Sequence, residues 1–343
     1  MAVSQDLVAT LLKIAPFLGF FLGLLAPLMV WVERRGSALI QDRPGPNRLG
    51  PWGLLQPLAD ALKFIFKEDV TPSEADKPLY LAAPILAFLP ALTTFVVLPF
   101  GPPVSVGGKT INLVVADVDS GVLLFLALSS LSVYSLVCAG YASNNKFSLI
   151  GSIRASAQLI SYELAMTIAV LAVLLPVGTF RLDAVVEYQS AKMWNVVPQA
   201  IGFLVFLVAM FAETNRVPFD LPEAESELVA GYHTEYSAMR FAAFMAAEYI
   251  NMMALSGLCA TLYFGGWKLP FVPMPEAWLP AALVGFTGLA LKICLFMCLF
   301  VWVRWTFPRF RYDQLMRLGW KVLLPLSLVN LIWVAVATLS GWM

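Results

Sequence analysis

Charge, histidine and paired cysteine are all scarce in this chain of 343 residues. Charged residues make up 13% of the sequence and hydrophobic residues 60%, whereas soluble domains carry about 25% charge. The formal net charge is zero, so there is no general basic surface for a nucleic acid. This composition argues against a soluble domain. The apolar runs are continuous over about 20 residues, which predicts membrane-spanning helices and not the alternating strands of a β-barrel.

The residues that usually hold redox groups are also few. A b-type haem in a helical bundle takes a pair of axial histidines, and the chain has one histidine, His233, in a loop. No Cys-x-x-Cys pair and no glycine-rich phosphate loop occurs. The cysteines lie inside apolar runs, where they are expected to act as small buried side chains: Cys138, Cys259, Cys294 and Cys298. We therefore predict no metal site, no redox centre and no catalytic group in this chain alone.

The apolar runs predict an all-α polytopic membrane protein that forms one domain over residues 1–343. About eight spans are expected, near 8–32, 79–100, 119–141, 155–177, 197–213, 237–264, 280–303 and 321–341. Most Lys and Arg residues follow the odd-numbered spans, and the opposite loops hold only Lys109, Arg181, Lys192 and Lys268. The positive-inside rule then puts the long loops in the cytoplasm and both termini on the periplasmic side of an inner membrane.

The first long loop combines rigid turns with an amphipathic helix. Residues 43–53 hold three prolines and three glycines, which excludes a helix there. Over residues 54–67 the polar residues fall on one helical face and the apolar residues on the other, which predicts a helix lying at the membrane interface. Such a helix is either a strut on the membrane surface or one wall of a cavity that opens to lipid and would suit an amphiphile.

Four ionisable residues lie within or at the end of apolar runs: Glu163, Glu213, Glu248 and Lys292. Each charge in hydrocarbon costs on the order of 2.5–3.5 kcal/mol, so these side chains are expected to face protein or water. Buried carboxyl groups suit a proton relay. The alternative is a structural role, in which Glu163 and Glu248 bond to neighbouring helices or pair with a basic residue such as Arg154.

The loop over residues 213–236 concentrates acidic residues between two predicted spans. It holds one arginine, Arg216, and six carboxylates: Glu213, Asp220, Glu223, Glu225, Glu227 and Glu235. Its apolar segment, Val217 to Pro222, is too hydrophobic for a loop that hangs in water. The last long loop, residues 304–321, interleaves Arg with aromatic residues, which favours contact with lipid headgroups or with another subunit.

Three long segments give the chain a specific resemblance to a known family. They are residues 33–69, 212–252 and 308–321, which begin ERRGSALIQDRPGPNRLG, AETNRVPFDLPEAESELV and PRFRYDQLMRLGWK. In these segments, and in its length and span layout, the chain resembles the membrane subunit of respiratory complex I, the proton-pumping NADH:quinone oxidoreductase, that docks the peripheral arm.

That resemblance implies a quinone chamber shared with peripheral-arm subunits and a carboxylate relay into the membrane arm. Quinone, with ubiquinone expected and menaquinone left open, would be the substrate, while FMN and iron–sulfur clusters belong to partner subunits. By motif, the chamber residues are Glu33, Arg34, Asp60, Arg216 and Arg304. The relay carboxylates are Glu163, Glu213, Glu223, Glu225, Glu227 and Glu248, with Arg154 beside them. Asp220 and His233 match less closely.

Three other functions remain open from the sequence. The homologous membrane subunit of an energy-converting hydrogenase should match the first and last segments less completely. A stand-alone ion-coupled transporter commonly shows inverted repeats, and the two halves of this chain show none. A pure scaffold has little reason to keep charges such as Glu163 and Glu248 at membrane depth.

Overall fold

A computed structural model describes residues 13–14, 17–106, 109–222, 225–270, 272, 275 and 277–342 of the chain. Within that part the protein is mainly helical, and its two strands have three residues each. The elements up to residue 142 are a π-helical segment Phe17–Leu25 that runs into α1 (Ala26–Ile40), α2 (Gln56–Phe66), α3 (Lys77–Thr94), the short antiparallel strands β1 (Val104–Val106) and β2 (Lys109–Ile111), and α4 (Gly121–Ala142).

The remaining elements begin with the long helix α5 (Lys146–Leu174). They continue with α6 (Leu182–Ala191), α7 (Ala200–Glu213), α8 (Glu225–Leu228), α9 (Ala238–Tyr263), α10 (Trp278–Thr306) and α11 (Tyr312–Arg317). A π-helical stretch, Leu318–Leu323, joins α11 to α12 (Leu324–Leu339). The first predicted span, residues 8–32, begins in residues outside the described part.

Six helices in the described part are long and apolar enough to cross a membrane. They are Lys77–Val97, Gly121–Ala142, Lys146–Leu174, Ala238–Tyr263, Trp278–Thr306 and Tyr312–Leu339. The fifth predicted span corresponds to α7, which has 14 residues. At about 1.5 Å per residue this helix covers about 21 Å, less than the roughly 30 Å of the hydrocarbon layer. These findings define an all-α polytopic membrane protein.

Several helices extend beyond the apolar runs that predicted them. α5 begins at Lys146, nine residues before the predicted start at 155, because the Asn145 side chain caps it by accepting a hydrogen bond from the Phe147 amide at 2.9 Å. The last helical unit begins at Tyr312, although its apolar run starts only at 321. Hydrophobicity marks the part of a helix that suits lipid, while capping and packing set its ends.

The helices pack around α5, which contacts α4, α7 and α12, while α9 packs against α3 and α10. Small residues allow close approach between helices in membranes. A Cβ atom added at Gly140 on α4 would lie 2.1 Å from the Ser152 hydroxyl on α5, so these helices meet at a point that admits no side chain. This packing brings α1, α9, the last turn of α10 and the segment after α7 together around Glu33.

Candidate functional site

A buried ionic cluster forms where four elements converge on Glu33 of α1. Arg216, just after α7, donates from Nη1 to Glu33 Oε1 at 3.1 Å. Arg304, in the last turn of α10, donates to the same oxygen, and the Tyr249 hydroxyl of α9 donates to the other oxygen. Glu248, also on α9, pairs through Oε1 with Arg216 Nε at 2.6 Å. We call these five residues the Glu33 cluster.

Charge in the Glu33 cluster is compensated but shielded from water. The exposed fractions of the Arg216, Glu33 and Glu248 side chains are 8%, 9% and 15%. Burial alone would lower the pKa of Arg216, but the attraction of Glu248 and Glu33 outweighs it and holds that pKa above its ordinary value. The Arg216 guanidinium also lies 4.7 Å from the centre of the Tyr249 ring. Arg216 is therefore a fixed cation between two carboxylates.

Arg304 gives the Glu33 cluster a more open side. Its side chain is 36% exposed, against 9% for Glu33. Neighbouring aromatic side chains frame this edge, since the guanidinium lies 5.7 Å from the Trp305 ring and Trp302 is largely exposed. Arg304 is therefore more accessible from outside the protein than the two carboxylates of the Glu33 cluster.

A small cavity connects the Glu33 cluster with a second acidic centre. The cavity has a volume of about 40 Å³ and is lined by both Glu248 and Glu213, together with Ser132, Asn215 and Asn251. This volume is large enough for water, since about 10–15 Å³ of such space accommodates one molecule, which needs two to four polar partners. The two glutamates thus share a polar space that could carry a hydrogen-bonded water chain.

Glu213 is a buried carboxyl group on the same cavity, with 5% of its surface exposed. It is the last residue of α7, where the helix dipole disfavours an anion. Neither of its buried oxygens has a hydrogen-bond partner among the described residues. Glu163 of α5 is close enough for a direct electrostatic interaction with it, and Glu163 accepts a hydrogen bond from the Ser130 hydroxyl. These contacts extend the acidic path from the cavity towards α4 and α5.

The other carboxylates proposed from the sequence lie apart from this path. Glu227 is 59% exposed and pairs with Arg154 at 2.6 Å. Glu225 begins the short helix α8, and its side chain lies outside the described atoms. Glu223 is outside the described residues. Only Glu163, Glu213 and Glu248 of the predicted relay are therefore brought close together by the described contacts.

The remaining predicted chamber residues form a separate pair beside the Glu33 cluster. Arg34, adjacent to Glu33 on α1, is bonded to Asp60 of the amphipathic helix α2. Gln56 also donates to Asp60, at 3.1 Å. The apolar face of α2 is exposed, with Leu58 and Ile65 among its side chains. Glu33 and Arg34, which are adjacent on α1, thus have different partners. Glu33 pairs within the Glu33 cluster, and Arg34 pairs with the amphipathic helix α2.

The acidic loop is anchored on both sides of the site. Asp220 pairs with Arg309 at 2.7 Å. His233 is buried between the rings of Tyr232 and Phe241, with centroid distances of 4.9 and 5.2 Å. Both residues therefore position the loop in this structure.

Sequence reasoning missed several polar partners of the site. Gln158 of α5 donates to the backbone oxygens of Ala212 and Phe219 at 2.8 and 2.9 Å and so fixes the loop after α7. Tyr249 could have been found from its position beside Glu248. Ser130 lies in an ordinary apolar run, and nothing in its surroundings in the sequence distinguished it.

The fold and the site together define the class of this protein. It is a polytopic helical membrane protein with a shielded ionic cluster next to a cavity lined by two glutamates. A sequence profile described as NADH dehydrogenase matches residues 12–335. The chain is 51% identical over 321 residues to an NADH-quinone oxidoreductase subunit of Salinibacter ruber, covering 90% of each chain. It is 49% identical over 341 residues to a subunit of the same name in Geobacter metallireducens, covering 99% and 98% of the two chains. The chain belongs to the NADH dehydrogenase family of membrane subunits.

Proposed function

We propose that this chain is the membrane subunit of a proton-translocating NADH:quinone oxidoreductase. Its relatives are named as subunits of NADH-quinone oxidoreductase, and the one from Rhodothermus marinus, called subunit 8, is 49% identical over 323 residues. With peripheral-arm subunits the chain forms the chamber in which quinone is reduced. Those partners carry the FMN and the iron–sulfur clusters, and quinone, with ubiquinone expected, is the substrate.

The observation that carries the proposal is the cavity shared by Glu248 and Glu213. Glu248 joins the cavity to the Glu33 cluster through its pair with Arg216, and Glu213, on the same cavity, interacts electrostatically with Glu163. A hydrogen-bonded chain through this space would let an event at the cluster change the protonation of carboxyl groups deeper in the protein. Interacting carboxyl groups of this kind titrate as a group.

The quinone chamber lies on the exposed side of the Glu33 cluster. Arg304 and the Arg34–Asp60 pair supply polar groups there, and the apolar face of α2 supplies a surface for an isoprenoid tail. Reduction of the quinone headgroup draws protons from its surroundings or shifts negative charge towards Arg304 and Glu33. The balance of the ion pairs around Arg216 then changes, which alters the field at Glu248.

Glu213 is the proposed proton carrier between Glu248 and Glu163. A buried carboxylate without a hydrogen-bond partner is costly. Glu213 therefore favours its protonated form as long as no cation enters the cavity. Glu163 and Ser130 continue the path towards the neighbouring membrane-arm subunits. Glu223, Glu225 and Glu227 belong to the loop over residues 213–236, which rearranges as the chamber changes charge, and Arg154 of α5 pairs with Glu227 of that loop.

The location of the protein is part of the same proposal. The chain is a multi-pass protein of the cell inner membrane, with the Glu33 cluster near the cytoplasmic side and both termini on the periplasmic side. The distribution of Lys and Arg supports this orientation. The membrane-arm and peripheral-arm subunits are its protein partners, and the bilayer surrounds its apolar helices.

Replacement of Glu213 with Gln tests the proposed role. The substitution keeps the shape of the side chain and removes the proton that it exchanges, so we expect the complex to assemble while coupled quinone reduction falls several-fold. The assay compares inhibitor-sensitive NADH:quinone activity and proton uptake in membrane vesicles with those of Glu74→Gln, a matched change at an exposed residue. Normal turnover and pumping in Glu213→Gln would remove Glu213 from the mechanism.

A further inference from the structure

A second, larger pocket lies at the end of α9 opposite to the Glu33 cluster. Its volume is about 500 Å³, and it is formed by the end of α6, the turn that follows, and the loop after α9. The lining includes Ser190, Lys192, Met193, Trp194 and Lys268. α9 has 26 residues, about 39 Å at 1.5 Å per residue, so this pocket lies roughly one bilayer thickness from the start of that helix.

Positive charge on this side of the protein is concentrated in the pocket. The loops on this side contain four basic residues, Lys109, Arg181, Lys192 and Lys268. Arg181 is held by Asp117, Asp119 and Asp183 at 2.7, 3.0 and 2.7 Å. Two of the other three line the pocket, and its described lining contains no carboxylate.

The surroundings of the pocket have the character of a membrane boundary. Met193 and Val197, in the segment after α6, are 50% and 69% exposed. Trp194 is partly exposed at the pocket wall, and tryptophan is enriched where hydrocarbon meets headgroups. A ligand with an anionic head and apolar chains therefore matches both the charge and the polarity of this region.

A buried cation lies behind two residues of the pocket lining. The Lys292 ammonium of α10 donates to the carbonyl oxygens of Phe264, Gly266 and Lys268 at 2.7, 2.7 and 2.5 Å. It also lies 5.3 Å from the centre of the Trp194 ring. Lys292 thus fixes the backbone that carries Lys268 against the wall that carries Trp194, so the two sides of the pocket are held in place before any ligand arrives.

We propose that this pocket binds the phosphate headgroup of an anionic phospholipid, through Lys192 and Lys268, with the acyl chains beside Met193 and Val197. Charged headgroups gain from basic side chains at the membrane surface, by an attraction that zwitterionic lipids lack. This inference concerns the face away from the Glu33 cluster and does not depend on the proposed function.

Lipid analysis of the purified assembly tests the site. The protein is isolated from native membranes in mild detergent, and bound phospholipids are counted by class in wild type, Lys192→Gln/Lys268→Gln, Lys192→Arg/Lys268→Arg and the control Lys146→Gln. We expect loss of anionic phospholipid in the double Gln variant alone, with zwitterionic lipid unchanged and the Arg variant like wild type. Equal anionic lipid in all four, or equal loss in the control, would overturn the proposal.

A measurement on the unaltered chain covers the case in which the double variant assembles poorly. Membranes are supplied with photoactivatable phosphatidylglycerol or, separately, photoactivatable phosphatidylcholine, and cross-linked peptides are identified by mass spectrometry. Preferential phosphatidylglycerol cross-links at 186–197 and 265–270 support the site. Equal labelling by both lipids, or no labelling there because another protein covers the pocket, would overturn it.

Discussion

Removal of Arg216 should destabilise the protein far more than removal of another arginine that also forms an ion pair. Arg216→Met keeps an unbranched apolar side chain but leaves the Glu33 and Glu248 carboxylates without their shared cation. Both carboxylates are at most 15% exposed. Breaking a buried pair by deleting one partner costs about 3–5 kcal/mol, because a charge remains uncompensated. Arg304 still contacts Glu33, so the lower part of that range is expected.

The matched control for Arg216 is Arg154→Met. Arg154 pairs with Glu227 at a similar distance, 2.6 Å, but Glu227 is 59% exposed. Exposed pairs contribute about 0–1 kcal/mol. The assay is thermal unfolding of the purified chain in one detergent, followed by intrinsic tryptophan fluorescence. We expect a large fall in Tm for Arg216→Met and little change for Arg154→Met.

A double-mutant cycle gives a sharper test of the same reasoning. Glu248→Gln removes the anion that Arg216 neutralises, so the loss of stability in Arg216→Met combined with Glu248→Gln should be smaller than the sum of the two single losses. Additive losses, or equal falls in Tm for Arg216→Met and Arg154→Met, would refute the claim that buried charge compensation stabilises the Glu33 cluster.

Two further predictions concern helix packing and pH. Gly140→Ala should destabilise the fold by about 1–3 kcal/mol, because the new Cβ would meet Ser152, whereas Gly19→Ala, with open space at its Cβ, should not; thermal unfolding separates them. Burial would raise the pKa of Asp183, but hydrogen bonds from Arg181 outweigh it and hold that pKa below its ordinary value of 3.8. Asp183 therefore adds stability above pH 3.8 that is lost as pH falls through the lowered folded-state pKa. In Asp183→Asn the fall in Tm on acidification should be shallower than in wild type, and identical pH profiles would contradict this.

The helices and their approximate places followed from composition and hydrophobic runs. Residues 237–264 were expected to form one span, and α9 runs from Ala238 to Tyr263. The start of α5 at Lys146 was not predictable, because a single side-chain cap from Asn145 extends the helix beyond its apolar run. Hydropathy carries the strong signal of lipid exposure, while caps depend on local geometry that hydropathy ignores.

The site was predictable in its charged residues but not in their pairing. Glu33, Arg216 and Arg304 were named from sequence segments far apart in the chain, and the structure brings them into one cluster. Their pairing depends on the crossing of α1, α9 and α10, which no local pattern encodes. Ser130 was missed because a serine in an apolar run usually bonds to its own helix, and here it also donates to Glu163.

The central claim is that protons move through the polar cavity between Glu248 and Glu213. Ser132→Leu fills that cavity and leaves both carboxyl groups in place, while Ser105→Leu makes the same change at an exposed position of β1 that does not line it. The decisive measurement is the number of protons translocated per NADH oxidised by the purified complex in sealed proteoliposomes. The account predicts a reduced ratio for Ser132→Leu and an unchanged ratio for Ser105→Leu. An unchanged ratio in a correctly assembled Ser132→Leu complex would contradict the account.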